Sequence, residues 1–296
     1  MISPAPHAER AVRPQRYPET RAPHPGEAGR VTATPTSTFH GPVAEHYARF
    51  RRGYPPVVVD ELAAALDLDA GSRVLDVGCG TGQLTLPLAA RTRAALGVDV
   101  EPDMLRLAHR AAADAGAGNV TWVLGADRDL GALAAFTGED VFDAATIGQA
   151  LHWMDVPDLF RRLALLVRPG GGVAVVTNGE PQWLLDVAWS RALRGHLERW
   201  LGRPLTARCG TDADSRRGYR DALVAAGFAR VEERAVAYRD ELTFAQLVGS
   251  VYSAMSPDSL PTGEARETFE HRLREALGPA TTFTEDVRVS LLVGRS

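Results

Sequence analysis

Five short apolar runs between residues 73 and 177 alternate with segments of helical pattern, and this rhythm constrains the fold more than any other feature. The runs are 73–78 (RVLDVG), 93–100 (RAALGVDV), 120–125 (VTWVLG), 141–148 (VFDAATIG) and 172–177 (GVAVVT). Their apolar residues run on without regular alternation. Strands of that kind are buried on both faces, and strands spaced by helices pair in parallel. The helices read as 83–92, as 102–115 with Pro102 in a favoured first-turn position, and as 157–167. Arg168-Pro169-Gly170-Gly171 reads as a turn that stops the last of them. The predicted fold class is α/β, a doubly wound and mostly parallel sheet. Beyond residue 177 the rhythm changes. Residues 183–202 read as a long helix carrying Trp183, Trp189 and Trp200, and 218–228 as a helix ending at Gly227. Residues 229–240 alternate as a strand, helical stretches fill 243–277, and the segment from 282 is a last strand. These two late strands bring the sheet to seven and predict a reversed hairpin at one edge.

Residues 1–38 mix Pro, Arg, Ala, Glu and Thr with almost no large apolar residues, so they are predicted to be a disordered tail. Residues 39–70 open with an aromatic-basic stretch, then a helix with Val58, Leu62 and Leu66 on one face. They are expected to form leading helices and a lid. Residues 71–296 are the expected main domain, with a helical insertion at about 180–217. All 33 basic residues are arginine. That excludes a Schiff-base lysine, a pyridoxal-phosphate anchor and a Walker-A loop. A net charge of -4 argues against a nucleic-acid or anionic-membrane partner. Cys79 and Cys209 are too few for a disulfide framework and have no zinc-like spacing, so no metal is expected. No apolar run approaches the roughly 18–20 residues that span a bilayer. A cytoplasmic protein without membrane or nucleic-acid partners is the expectation, and a homo-oligomer is compatible with it.

The chemistry concentrates in Val74-Leu75-Asp76-Val77-Gly78-Cys79-Gly80-Thr81-Gly82, at the end of the first strand. The glycines allow a tight turn and close approach of a ligand. A dinucleotide fingerprint is G-x-G-x-x-G, but here the third glycine is Gly82 and residue 83 is Gln, giving G-x-G-x-G. Asp76 stands two residues before the first glycine, where a pyrophosphate is poorly matched and an ammonium group or bound water is well matched. Asp99 ends the second strand, 21 residues after Gly78, a spacing at which a carboxylate can accept both hydroxyls of a ribose. An adenosine bearing an amino acid in place of phosphates fits both acids.

These residues resemble the class I S-adenosylmethionine-dependent methyltransferases. VLDVGCGTGQLT is similar to the first motif of that family, LGVDVEPDMLRLA to the second, and RPGGGVAVV to the turn into the fifth strand. YARFRRGYP and IGQALHWMD resemble a small-molecule branch that includes trans-aconitate and secondary-metabolite tailoring methyltransferases. The resemblance implies a Rossmann-like methyltransferase fold, S-adenosyl-L-methionine as cofactor and a small-molecule acceptor. It implies that Asp76 meets the methionine amine, that Gly78, Gly80 and Gly82 give backbone access, and that Cys79 and Gln83 flank the methionine part. A packing role competes at Cys79. Asp99 would hold the ribose, Val100 and Met104 the adenine side, Asp127 or Ala126 the adenine amine, and Gln149 the methionine and the methyl.

His152 follows the fourth strand, as a general base or as an acceptor-positioning residue. An acceptor pocket is expected from Tyr47, Arg51 and Tyr54 with Trp153, and from Trp183 in the insertion. His46, Phe50, Trp189, Arg194, Trp200, Tyr252 and Met255 are further candidates, although tryptophans on one helix also suit a core. A nicotinamide oxidoreductase is disfavoured by the glycine spacing. A nucleic-acid methyltransferase is disfavoured because Gln149-Ala150-Leu151-His152 stands where an Asn/Asp-Pro-Pro-aromatic run is usual. A cofactor-binding pathway protein or cyclase without methyl transfer remains the alternative from another class.

Overall fold

Seven strands form one sheet in a computed structural model of the protein, which describes residues 39–206 and 210–296. The tail predicted at 1–38 lies outside the described residues, as does Cys209. The strands are β1 (Arg73–Val77), β2 (Ala94–Asp99), β3 (Val120–Leu124), β4 (Phe142–Gly148), β5 (Val167–Asn178), β6 (Arg230–Thr243) and β7 (Thr282–Arg295). Their order is β3-β2-β1-β4-β5-β7-β6. The first five pair in parallel, and β7 is antiparallel to both β5 and β6. This is the doubly wound sheet with a reversed edge pair that the sequence predicts. The winding changes direction between β1 and β4, and in open α/β sheets a crevice forms at that point.

The helices are α1 (Gly41–Phe50), α2 (Pro56–Ala65), α3 (Thr85–Ala89), α4 (Pro102–Asp114), α5 (Leu130–Thr137), α6 (Val156–Leu166), α7 (Ala188–Leu201), α8 (Ala213–Ala225), α9 (Phe244–Tyr252) and α10 (Gly263–Leu277). Alternation along β1 feeds two cores. Leu75 and Val77 join Leu159, Phe160 and Leu163 of α6 and Leu223 of α8 on one face. Val74 joins Val58 and Leu62 of α2 and Leu88 of α3 on the other. α6 shows how the sequence specifies such a helix. Asp155 caps it by accepting from the Asp158 amide, Pro157 sits in the first turn, and Leu159, Phe160, Leu163 and Leu166 recur at helical spacing on its buried face.

Several boundaries differ from the sequence reading. α3 is one short turn rather than a helix over 83–92, and α5 lies between the third and fourth strands, where the sequence reading assigns no element. β5 is counted from Val167, but its pairing with β4 jumps from Phe142–Val167 to Ala144–Gly172, so Arg168–Gly171 bulges out of the ladder with Gly170 at φ +78°, and α6 stops before it at Leu166 as the sequence predicts. A Cβ on Gly171 would meet Val167 Cγ1 at 2.7 Å, so the glycines let the chain hug β4, with a register irregularity between Phe142 and Ala144. α7 begins at Ala188, which leaves Trp183 in the preceding loop. The late strands are joined through α9 and α10, and their pairing still runs from Arg230–Arg295 to Thr243–Thr282.

A third apolar cluster joins α7, α9 and α10, with Leu242 and Phe283 from the ends of β6 and β7. Among the described residues no helix is long and apolar enough to cross a membrane. α1 ties this cluster to the sheet, because the Phe50 ring lies directly on Gly249 of α9 and a Cβ there would overlap the ring. Gly249→Ala is therefore expected to destabilise the fold despite alanine's better helix propensity, by a net ~1–2 kcal/mol. A lowered urea midpoint with unchanged m-value is the expected measurement.

Candidate active site

Asp76 anchors the site. It is 1% exposed and faces the α2–α3 side of the sheet with Val74. The register of β1 against β4 sets Thr146 beside it. The Thr146 hydroxyl donates to Asp76 Oδ1 at 2.9 Å, and the Thr85 hydroxyl, at the start of α3, donates to Oδ2 at 2.6 Å. Burial pushes this carboxyl up to about 6, against the opposing pull of the two hydroxyls.

The glycine turn then folds around the second acid. Gly78 and Gly80 have φ of +70° and +54°, a region that favours glycine. At Gly78 a Cβ would also meet Met154 Cε at 2.9 Å. Asp99 Oδ2 accepts the Gly80 amide at 2.8 Å, and Oδ1 accepts the Glu101 amide at 2.9 Å. Burial raises the Asp99 carboxyl, and the Glu101 and Gly80 amides oppose that shift. Three more amides of the turn are paired: Gly78 and Cys79 donate to Val98 O of β2, and Gly82 to Cys79 O. Thr81 Oγ1 is buried and has no hydrogen-bond partner among the described residues.

The residues expected around these acids take varied positions. Cys79 is 6% exposed and its Sγ lies near Gly97, the packing role weighed for it. Met104 is buried with Ala44 and Leu107 between α1 and α4, whereas Val100 is 58% exposed on the turn after β2. Ala126 is buried and its amide donates to Asp129, while Asp127 accepts the Asp155 amide at 3.1 Å and so braces the loop after β4. Gln83 bridges to the segment between α1 and α2. Its Nε2 donates to the Arg51 carbonyl at 2.9 Å.

The far wall of the crevice comes from the end of β4 and from the segment between α1 and α2. Gln149 follows β4 at φ +57°, a costly conformation for a residue with a side chain, and its amide donates to Val176 O at 3.0 Å. The Tyr54 hydroxyl lies over Gly148, at 2.8 Å from where a Cβ would sit. The Tyr47 ring reaches the glycine turn, 3.8 Å from the Cβ position of Gly80, and carries the Arg51 guanidinium 5.5 Å from its centroid. His152 lies in the one-turn helix Leu151–Trp153, and burial first, then the Arg51 charge, lower its pKa. Trp153 is 66% exposed and meets Phe39 edge-on at 6.3 Å.

The Arg51–Tyr54 segment is tied down from three directions. Gln83 holds Arg51 O, and Asn178, at the end of β5, donates to Gly53 O at 3.1 Å. Arg52 reaches across to the late strands, where its Nε meets Asp240 at 3.0 Å and its Nη atoms form a bidentate pair with Glu285. Glu285 is 1% exposed on its side chain. The structure thus gathers Asp76, Asp99, the glycines, Tyr47, Arg51, Tyr54 and Gln149 with His152 at one end of the sheet. Trp183 does not join them. It packs in the α7–α9–α10 cluster with Trp189 and Trp200. Sequence reading missed Thr81, Thr85, Thr146, Asn178 and the Arg52–Asp240–Glu285 group. The adjacency of Asp76 and Thr146 needs the β1–β4 register, which the sequence does not display.

Residues 74–171, which span both acids and the wall beyond β4, match the family model described as a methyltransferase domain. An uncharacterized methyltransferase of Mycobacterium tuberculosis (strain ATCC 25618 / H37Rv) is 33% identical over 157 residues, 53% of this chain and 58% of that one. A ubiquinone biosynthesis O-methyltransferase of Xanthomonas oryzae pv. oryzae is 35% identical over 123 residues, 41% of this chain and 49% of that one. The match thus spans little more than half the length of the first of these relatives. A solved structure from Anaeromyxobacter dehalogenans, provisionally assigned as a type II methyltransferase, shares the fold, with a TM-score of 0.54 and 21% identity. It covers 83% of this chain and 96% of that one.

The raised carboxyl of Asp76 has a measurable consequence. Its folded-state value of about 6 exceeds the ordinary 3.8, so folding disfavours the ionised form. Its contribution to stability is complete below about 3.8 and is lost as pH rises through about 6. A shift of roughly two units corresponds to ~3 kcal/mol. Urea unfolding of Asp76→Asn is expected to show a smaller loss of stability than wild type across that window.

Proposed function

We propose that the protein transfers a methyl group from S-adenosyl-L-methionine to a small-molecule acceptor. One observation carries this reading: the glycine turn lies between a buried carboxylate, Asp76, and a half-buried one, Asp99, and its Gly78, Cys79, Gly80 and Gly82 amides are already paired. A turn that binds pyrophosphate offers free amides to an anion. This one offers acceptors instead, as an ammonium group and a ribose require. The cradle fits the cofactor in other respects too, with the unpartnered Thr81 hydroxyl in the turn and no room for a side chain at Gly78.

Asp76 would hold the methionine amine, directly or through water. Asp99 retains acceptor capacity beyond its two amide bonds, since a carboxylate has about four lone-pair sites, and would hold the ribose. Met104 and Val100 would border the adenine, with Ala126 or Asp127 near its amine, and Gln149 would face the methionine. Arg51, with no acidic partner among the described residues, would meet a carboxylate of the cofactor or the acceptor. When bound, S-adenosyl-L-methionine supplies a sulfonium methyl with a good leaving group, so orientation does most of the work. Tyr47, Tyr54 and Trp153 would shield and orient the acceptor. His152 is held toward its neutral form by burial and by the nearby Arg51 charge, and a neutral imidazole can take the proton of a hydroxyl or amine acceptor. For an acceptor already ionised, its role reduces to positioning.

Titration calorimetry of the full chain with S-adenosyl-L-methionine is the test, and absence of binding overturns the reading. Asp99→Ala is expected to weaken cofactor binding by about 10–100-fold, the effect of losing hydrogen bonds to a charged group. His152→Ala is expected to leave that binding nearly unchanged. It should lower S-adenosylhomocysteine release by ~10²–10⁴-fold where a base is needed.

A further inference from the structure

A second cavity, of about 230 Å³, lies in the third cluster between α7 and α9. It shares no lining residue with the glycine turn. Trp183, Leu197, Leu205, Val251 and Met255 form its walls. Leu197, Val251 and Met255 are buried in the cluster core, while Trp183 and Leu205 pack against it from outside. The floor of the recess is thus packed interior, while its mouth is open to solvent and bordered by exposed residues that include Ser256. Packed side chains normally close such space, because a gap forfeits dispersion contacts on every face. An apolar cavity of about 150 Å³ already accepts benzene. This one has room for a ring with a few substituent atoms.

The rim adds a charge. Arg203 and Ala254 are exposed and border the cavity, and Arg203 has no acidic partner among the described residues. A guanidinium beside an apolar recess is matched by a molecule with one hydrophobic ring and one anionic group. We infer that the recess between α7 and α9 is a binding site for a small aromatic or alicyclic carboxylate, with the ring against Trp183 and Met255 and the acid at Arg203. The site goes beyond the methyl-transfer reading and stands apart from the cofactor turn.

Calorimetric titration of the full chain with 4-isopropylbenzoate, and with 4-isopropylbenzamide as the neutral counterpart, tests this. Both probes are expected to bind saturably at one site. Ala254→Trp places bulk at the rim from an exposed position and is expected to abolish binding of both, with S-adenosyl-L-methionine affinity unchanged. Arg203→Ala is expected to weaken the acid by about three- to fivefold, as for an exposed charge pair, and to spare the amide. No saturable heat with wild type, or undiminished binding by Ala254→Trp, overturns the site. Equal weakening of both probes by Arg203→Ala overturns its anionic preference. A chain that binds the probes but not S-adenosyl-L-methionine sinks the methyl-transfer reading and leaves this one standing.

Discussion

The candidate site depends on a carboxylate that water cannot reach. Asp76 sits inside the sheet layer, and an ionised group there is tolerable only when its oxygens are hydrogen-bonded. Thr85 and Thr146 supply those bonds from two different elements, one at the start of a helix and one on the neighbouring strand. The arrangement fixes the carboxylate and, through it, the approach of β1 to the glycine turn. Asp99 repeats the device one strand away, with backbone amides as donors. An acidic site in which most of the turn's amides are already paired favours a cationic or hydroxyl-bearing ligand over a phosphate.

The wall opposite these acids is held by side chains whose partners lie far along the chain. Arg51 and Tyr54 face the crevice, yet the bonds that place them belong to Arg52, Gly53 and the Arg51 carbonyl. Their partners sit on the glycine turn, on β5 and on the paired late strands. Glu285 is buried, so its pair with Arg52 is one whose rupture would strand a charge, a far larger penalty than losing a surface pair. The binding face is therefore coupled to the integrity of the β6–β7 edge.

Much of the architecture is legible in the letters. Continuous apolar runs give the parallel strands, because strands covered on both faces have no polar side to display. Asp76, the glycines and Asp99 are legible as a group because their spacing follows from one strand, one turn and one helix. Legibility fails where the third dimension supplies the reason. Arg168–Gly171 reads as a turn that ends a helix, and the structure makes it a bulge between two paired stretches of one strand, which only the β4 register reveals. Trp183 reads as part of a long helix facing the acceptor, whereas α7 starts five residues later and the tryptophan lines a different recess. The bond from Gln83 to the Arg51 carbonyl, 32 residues away, has no counterpart in the letters. Thr146 gives no signal at all until the strands are set in register.

The insertion of β7 between β5 and β6 has a consequence in time. Arg52 and Glu285 are separated by 233 residues, and Glu285 follows every helix in the chain. At roughly 5–20 residues per second of synthesis, the leading segment waits on the order of 10–50 s for its anchor. Through that interval β5 presents an open edge, and Arg52 has none of its acidic partners on β6 and β7 until those strands arrive. Two of the wall's three ties, from Gln83 and Asn178, can form earlier, and the last is made when the strand that completes the sheet arrives.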